Sequence, residues 1–288
     1  MITEDAARAV GRRLERATRI AGGDINDAWL LELEGGARAF LKARPAAAPG
    51  EYAAEAAGLA WLGEAEGGLA VPAVLAVDEA FLVLEWVDEG RLDAAGEEEL
   101  GRGLAHLHLA GADTFGGLAP GAPGESLRIG KLALPTGTGD AWARVYAEQR
   151  LVPLLSEAVA RDALPPGGAA AVEAVIERLG ELTGPHEPPA RVHGDLWSGN
   201  VLARTDGTPL LIDPAAHGGH READLAMLAL FGTPSPRTVA AYAEVAPLAE
   251  GHEARIPLWQ LQPLLVHAVL FGGSYGAAAM QAARAAAA

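Results

Sequence analysis

The sequence predicts an α+β fold in two lobes, a small β-rich N-lobe followed by a larger, mostly helical C-lobe. Three observations predict it. Short apolar runs separated by turn signals crowd into the first third, and helical patterning dominates after Asp88. The one later interruption, Arg191 to Pro214, is a compact strand–loop–strand stretch. The join falls near Val87 to Gly90, giving an N-lobe of residues 1–87 and a C-lobe of residues 88–288.

Taken in order, Glu4 to Ala17 has Ala, Val and Leu at intervals of three and four and is expected to be a helix. Ala28 to Leu33 and Arg38 to Ala43 are apolar runs joined by Glu34-Gly35-Gly36-Ala37, a hairpin pattern. Glu51 to Ala65, rich in Ala, Leu and Glu, reads as helix. Pro72 to Val77 and Ala80 to Val87 form a second strand pair, the latter nearly all apolar as a buried strand would be. Glu97 to His108 is expected to be helical, and Ala112 to Gly139, rich in Gly and Pro, an irregular loop. Asp140 to Arg161, Gly167 to Leu182 and most of Arg221 to Ala288 read as helix, with an apolar helical run at Leu225 to Phe231.

Composition narrows the function. Of 288 residues, 38 are Asp or Glu and 22 Lys or Arg, a formal net charge of −16. Such a surface repels phosphate backbones and anionic lipid, so neither nucleic acid nor a membrane is expected as partner. The chain has no cysteine, which excludes disulfides, zinc–thiolate sites and a thiol nucleophile. No apolar run has the length of a signal peptide or membrane span, so the default location is the cytoplasm. Nearly every positive charge is arginine; the lysines are Lys42 and Lys131.

The chemistry concentrates in His193-Gly194-Asp195-Leu196-Trp197-Ser198-Gly199-Asn200, followed by Leu210-Leu211-Ile212-Asp213. Phosphoryl transfer needs one carboxylate to orient the attacking hydroxyl, here Asp195. It also needs an amide oxygen and a second carboxylate to hold Mg²⁺ against the phosphates of ATP, here Asn200 and Asp213. Asp-x-x-x-x-Asn with an Asp after the next strand is the catalytic-loop pattern of a protein-kinase-like fold. Lys42, on the third strand-like run, suits the nucleotide phosphates. Its partner is expected on the next helix, where Glu51 and Glu55 share a face, with Glu55 preferred. Gly22-Gly23-Asp24 precedes the hairpin as a weak phosphate-covering turn. Glu85-Trp86-Val87 occupies the place of a hinge, where Glu85 and Val87 would offer backbone groups to adenine. Asp224 either opens a helix or braces the catalytic loop from below, and His106 and His108 are assigned to packing or surface.

These stretches, with Pro214-Ala215, Gly219-His220-Arg221-Glu222-Ala223-Asp224, Leu230-Phe231-Gly232 and Leu270-Phe271-Gly272-Gly273-Ser274-Tyr275, resemble the fructosamine kinase (ketosamine-3-kinase) family over nearly the whole chain. His-Gly-Asp alone would also fit aminoglycoside or choline kinases. The resemblance implies ATP-dependent phosphorylation of a sugar hydroxyl on a ketosamine, either a small molecule or a glycated protein lysine. Phosphorylation at the 3-position destabilises the adduct and releases the amine. It implies Asp195 as base, Asn200 and Asp213 as Mg²⁺ ligands and Gly22, Gly23 and Lys42 as nucleotide contacts. Trp197, His217 and His220 are the acceptor candidates. The chain departs from the family where His217-Gly218 replaces two tyrosines and Leu132 to Thr136 replaces an amide-bearing segment. A kinase for another small acceptor, such as an aminoglycoside, amino alcohol or free sugar, is the alternative.

Overall fold

In the computed structural model, which describes residues 1–20, 26–44 and 46–288, the first third is an antiparallel sheet with a helix on each face. Helix α1 (Ile2–Ala9) leads into β1 (Leu14–Ile20), β2 (Asp27–Leu33) and β3 (Ala37–Ala43). Helix α2 (Glu51–Gly63), β4 (Val74–Val77) and β5 (Phe81–Glu85) complete the lobe, and the strand order is β1-β2-β3-β5-β4. The alternation of β3 decides what faces where. Ala39, Leu41 and Ala43 pack with Leu31, Leu33 and Val83 under Ala6 and Ala7 of α1. Each large aliphatic side chain buried there contributes about 1.5–3 kcal/mol. Phe40 and Lys42 are thereby sent to the other face, where Tyr52 and Leu59 of α2 pack on Leu82 and Leu84 of β5.

The expected helix over Glu4 to Ala17 is corrected. The helix stops at Ala9, Gly11 turns the chain at φ 75°, and β1 begins at Leu14. β1 is an edge strand, mostly solvent-exposed, so its Glu, Arg and Ala show no two-residue apolar alternation. Pairing with β2 overrides a composition that favours helix.

The C-lobe is built on α3 (Ala94–Leu109), α4 (Trp142–Tyr146), α5 (Val152–Ala160) and α6 (Gly168–Leu182). The helices α7 (Arg221–Leu228), α8 (Pro236–Val245), α9 (His252–Phe271) and α10 (Tyr275–Ala287) complete it. A π turn, Ala147–Leu151, joins α4 to α5. The main core gathers Trp142, Tyr146, Leu154, Val172, Trp259 and Leu265. The expected irregular loop from Ala112 to Gly139 instead contains a hairpin, β6 (Ser126–Ile129) with β7 (Leu132–Pro135). Leu127, Ile129 and Leu134 insert into that core, and Arg150 of the π turn donates to the Pro135 carbonyl (2.9 Å).

The strand–loop–strand stretch resolves into β8 (Ala190–Val192), β9 (Val201–Ala203) and β10 (Pro209–Leu211), with a single 3₁₀ turn at Ser198–Asn200. β8 pairs with β11 (His217–Gly219), and β9 with β10. The lobes meet over Trp61, Leu62, Leu104, Leu196 and Leu211. The linker is fastened by Gly90 N–H donating to Ala203 O (2.7 Å), and Leu211 N–H donates to Ala70 O (2.9 Å). No helix among the described residues is long and apolar enough to cross a membrane.

Candidate active site

Between the lobes lies a cleft of about 530 Å³. Its roof is Ile20, Ala28 and Phe40 of the sheet, its floor Leu202 and Ile212, and its back edge Glu85, Trp86 and Val87. This apolar slot beside exposed backbone suits a flat heteroaromatic ring. The Glu85 carboxylate is occupied elsewhere: it accepts from Arg204 Nη1 (3.0 Å) and Ala73 N–H (3.2 Å). The Glu85 carboxylate is therefore not free to meet a ligand. Gly22 and Gly23 lie outside the described residues, while Asn26, just after them, borders the cleft and accepts from the Tyr52 hydroxyl (3.2 Å).

Lys42 sits deeper. Its ammonium donates to Glu55 Oε2 (2.8 Å) and to Asp213 Oδ1 (3.1 Å), joining the two lobes through one charge. Burial works against the ammonium, but the carboxylates of Glu55 and Asp213 outweigh it and hold Lys42 well above the ordinary lysine range. Glu55 is the partner because Tyr52, Glu55 and Leu59 fall on the face of α2 that meets the sheet. Glu51 turns to Arg44 and the Ala48 N–H.

Asp195 and Asn200 come together at the 3₁₀ turn. Asn200 Nδ2 donates to the Asp195 carbonyl (2.7 Å), which leaves its amide oxygen free for other partners. Gly194 has φ 81°, and a Cβ on it would lie 2.2 Å from Ala215 O, so no other residue allows the chain to pass here. Asp213 follows β10 in the left-handed region at φ 53°, a costly conformation for a residue with a side chain. Its half-exposed carboxylate borders the same cleft as Asp195, Asn200 and Lys42. Burial, with the negative charges of Asp213 and Asp224 nearby, pushes Asp195 up to about 7.

The loop is braced from beneath. Asp224, fully buried, accepts from the backbone N–H groups of His193 (2.6 Å) and Gly194 (2.9 Å). His108 Nε2 lies 3.3 Å from the same carboxylate, and Nδ1 lies 2.8 Å from the Tyr242 hydroxyl. Asp224 thus has both roles considered for it, lying in the first turn of α7 and under the catalytic loop. His108 belongs to this relay rather than to plain packing. His193 donates from Nε2 to Ile212 O (2.9 Å) and accepts the Asp195 N–H at Nδ1 (3.3 Å), which ties the two halves of the site.

Of the three acceptor candidates, Trp197 lines the open cleft beside Asp195, with its ring against Phe231 (6.2 Å between centroids). The helical run expected to reach Phe231 is shorter: α7 ends at Leu228, and Phe231 lies beyond it. His217 and His220 do not border the cleft. Both face a separate cavity of about 40 Å³ behind Asp195, room for a water or two and not for a sugar. His217 donates to Ala215 O (2.8 Å) and stacks on Trp142. His220 caps α7 by accepting the Glu222 N–H and stacks on Trp259 at 4.8 Å. Burial pushes His217 down to about 4 and lowers His220. With Trp142 and Trp259 they line this second cavity, which shares Asp195 with the cleft. Sequence reasoning missed Leu202, Ile212 and Arg128 on the cleft walls. For Arg128 the signal was there, in the alternation Ser126-Leu127-Arg128-Ile129 before a Gly-Lys turn.

Among the described residues no three His, Cys, Asp or Glu side chains cluster as a metal cage. One amide oxygen and one carboxylate opening on a phosphate-sized space suit a hard divalent ion that keeps water and phosphate ligands.

Comparison with known proteins agrees with this geometry. A family model described as fructosamine kinase matches residues 2–287. The chain is 37% identical over 259 residues to a "Probable ketoamine kinase" of Thermus thermophilus, covering 90% of this chain and 89% of that protein. It superposes on the crystal structure of a fructosamine-3-kinase homologue from Thermobifida fusca with a TM-score of 0.90 and 46% identity, covering 99% and 98% of the two chains. A choline kinase from Streptococcus pneumoniae shares the fold alone, with a TM-score of 0.68, 15% identity and coverage of 99% and 98%. The architecture is that of protein-kinase-like phosphotransferases.

Proposed function

The chain belongs to the fructosamine kinase family and is a phosphotransferase acting on a sugar hydroxyl; we propose that its acceptor is a small-molecule ketosamine, phosphorylated so that the adduct breaks down and frees its amine. The observation that carries this reading is the convergence of Lys42, Glu55, Asp195, Asn200 and Asp213 on one cleft with Trp197 at its acceptor side. ATP use follows from the kinase family.

In this reading Glu85 to Val87 hold adenine through the backbone, and Lys42, fixed by Glu55, neutralises phosphate charge. Asn200 and Asp213 are the residues that would hold Mg²⁺, which supplies charge neutralisation at the phosphates when bound. Asp195 orients the sugar hydroxyl and takes its proton as the oxygen attacks the γ-phosphorus in line. A group titrating near 7 is well matched to that task at neutral pH. Trp197 gives the sugar or its amine-linked part a flat apolar surface. Residues 1–87 serve the nucleotide and 88–288 the catalytic loop and acceptor. We propose the cytoplasm, which supplies ATP, as its compartment.

The test is ADP release with Mg²⁺ and ATP on fructosyl-lysine, ribulosyl-lysine and the matched free sugars and amines. Selective turnover of the ketosamines is expected. Transfer to free sugars, amino alcohols or aminoglycosides with none to ketosamines would overturn the acceptor and keep the kinase.

A further inference from the structure

One cation of the cleft is left over by this chemistry. Leu127 and Ile129 are buried in the C-lobe core, so the two-residue period of β6 turns Ser126 and Arg128 the other way. Both border the cleft that holds Lys42, Asp195 and Trp197, along with Leu127, Ile129 and Gly130 of the same hairpin. The hairpin is fixed in this pose: Arg150 donates to Pro135 O at its end (2.9 Å), and in the loop before it Pro123 packs against Gly50 at the start of α2.

The partners of Arg128 are what single it out. Acids outnumber bases by 38 to 22 in this chain, and the cleft's other cation, Lys42, is held by two carboxylates. Glu51, Glu55 and Glu85, which border the same cleft, are engaged by Arg44, Lys42 and Arg204, while Glu89, which also borders it, pairs with no described cation, Arg128 included. Among the described residues no carboxylate pairs with Arg128, which is partly shielded from water by the cleft wall. An arginine fork in that position is built to receive a planar oxyanion. Its neighbour Ile129 also borders the small cavity directly behind Asp195, which puts the hairpin beside the catalytic base. Lys42 and the Glu85–Val87 backbone, which the proposed function assigns to the nucleotide, border the same cleft.

We propose that Arg128 reads a carboxylate on the amine-derived half of the acceptor. The substrate class is then sugar adducts of free amino acids or short peptides, in preference to adducts of neutral amines or of lysines within folded proteins. This rests on the ketosamine reading and narrows it. In the sequence its one pointer is the short alternation Ser126 to Ile129, since an isolated arginine in a Gly- and Pro-rich stretch carries no motif.

The experiment compares kcat/KM for fructosyl-lysine with its α-carboxyl free and as the carboxamide, in the wild type, Arg128→Gln and Arg128→Lys, with thermal melts to check folding. A charge-assisted pair of this kind predicts a wild-type preference for the free acid of about tenfold to a hundredfold, expressed in KM. The ratio should fall to near one in Arg128→Gln and recover in part in Arg128→Lys, which keeps the charge and loses the fork. A wild-type ratio near one, or a preference that survives Arg128→Gln, overturns the inference. A rise in the KM for ATP, equal with both acceptors, assigns the guanidinium to the nucleotide and overturns it too. Should the wild type turn over neither adduct, the ketosamine reading has failed and the inference falls with it. Equal turnover of both sinks the inference alone.

Discussion

Asp224→Asn replaces a single oxygen by NH₂ and should be among the most damaging substitutions this chain can take. Both carboxylate oxygens accept backbone N–H groups, from His193 at 2.6 Å and Gly194 at 2.9 Å. Burial opposes the charge, yet His108, His193 and the Gly194 N–H hold the carboxyl below the ordinary range. An asparagine keeps one acceptor and points its NH₂ at the other N–H. One charge-assisted bond is lost, a buried donor is left facing a donor, and the surviving bond becomes neutral. With charge-assisted bonds at about 1.5–3 kcal/mol and a stranded buried group at about 1–3 kcal/mol, the cost is about 3–5 kcal/mol. That is a large share of the roughly 5–15 kcal/mol a folded protein holds. The same N–H groups immediately precede Asp195, so the base drifts as well. A displacement of about 1 Å costs on the order of a hundredfold in rate. The assays are urea unfolding and kcat at saturating substrates. His108→Gln, which removes the 3.3 Å contact to Asp224 and the 2.8 Å contact to the Tyr242 hydroxyl but leaves both backbone donors of Asp224 in place, should cost about 1–3 kcal/mol and far less rate. Asp224→Asn within about 1 kcal/mol and threefold of wild type would refute the bracing argument.

Three further outcomes follow from the same geometry. Asp195→Asn should lower kcat by about 10²–10⁴-fold while nucleotide binding, measured by calorimetry, persists; near-normal turnover would remove Asp195 as the base. Lys42→Met strips the charge shared by Glu55 and Asp213, and should raise the KM for ATP and lower kcat together; Glu55→Gln should do the same more weakly, and an unchanged KM in both would detach this pair from the nucleotide. His217 is buried and neutral with its folded value depressed to about 4, so below pH 6.5 the unfolded chain binds a proton that the fold refuses. Stability should therefore decline as pH falls from about 6.5 to about 4, by about 3 kcal/mol from this ring at ~1.36 kcal/mol per pH unit. His217→Asn, which can still donate to Ala215 O, should flatten that slope in pH-dependent urea midpoints; an unchanged slope would refute the assignment.

What the sequence made legible were features whose cause is local. Lys42 on a period-two strand has to face opposite Leu41, so once Leu41 enters the core the lysine is committed to the α2 side. Asp195, Asn200 and Asp213 are recognisable because the spacing sets their roles within one loop and the strand that follows. What stayed hidden depends on pairing and packing partners outside the segment itself. β1 carries the composition of a helix and becomes a strand because β2 offers it an edge. The β6–β7 hairpin looks like loop because only four residues a side alternate, and its anchoring residues, Tyr146 and Arg150, come later in the chain.

The site histidines carry this point into function. His193, His217 and His220 stand within a few residues of acidic groups, and in sequence each looks equally chemical. Yet His193 ties Ile212 to Asp195 through two ring nitrogens, His220 caps a helix and His217 lies flat on Trp142. None of the three borders the cleft. The group that does border it with no described counter-charge, Arg128, belongs to no chemical motif in the sequence. A histidine buried among aromatic rings is explained by its own surroundings. A guanidinium in a cleft of an acidic protein, passed over by every described carboxylate, is explained only by something that enters the cleft. Acceptor specificity in this chain is therefore better sought on the hairpin wall than in the histidines next to the catalytic loop.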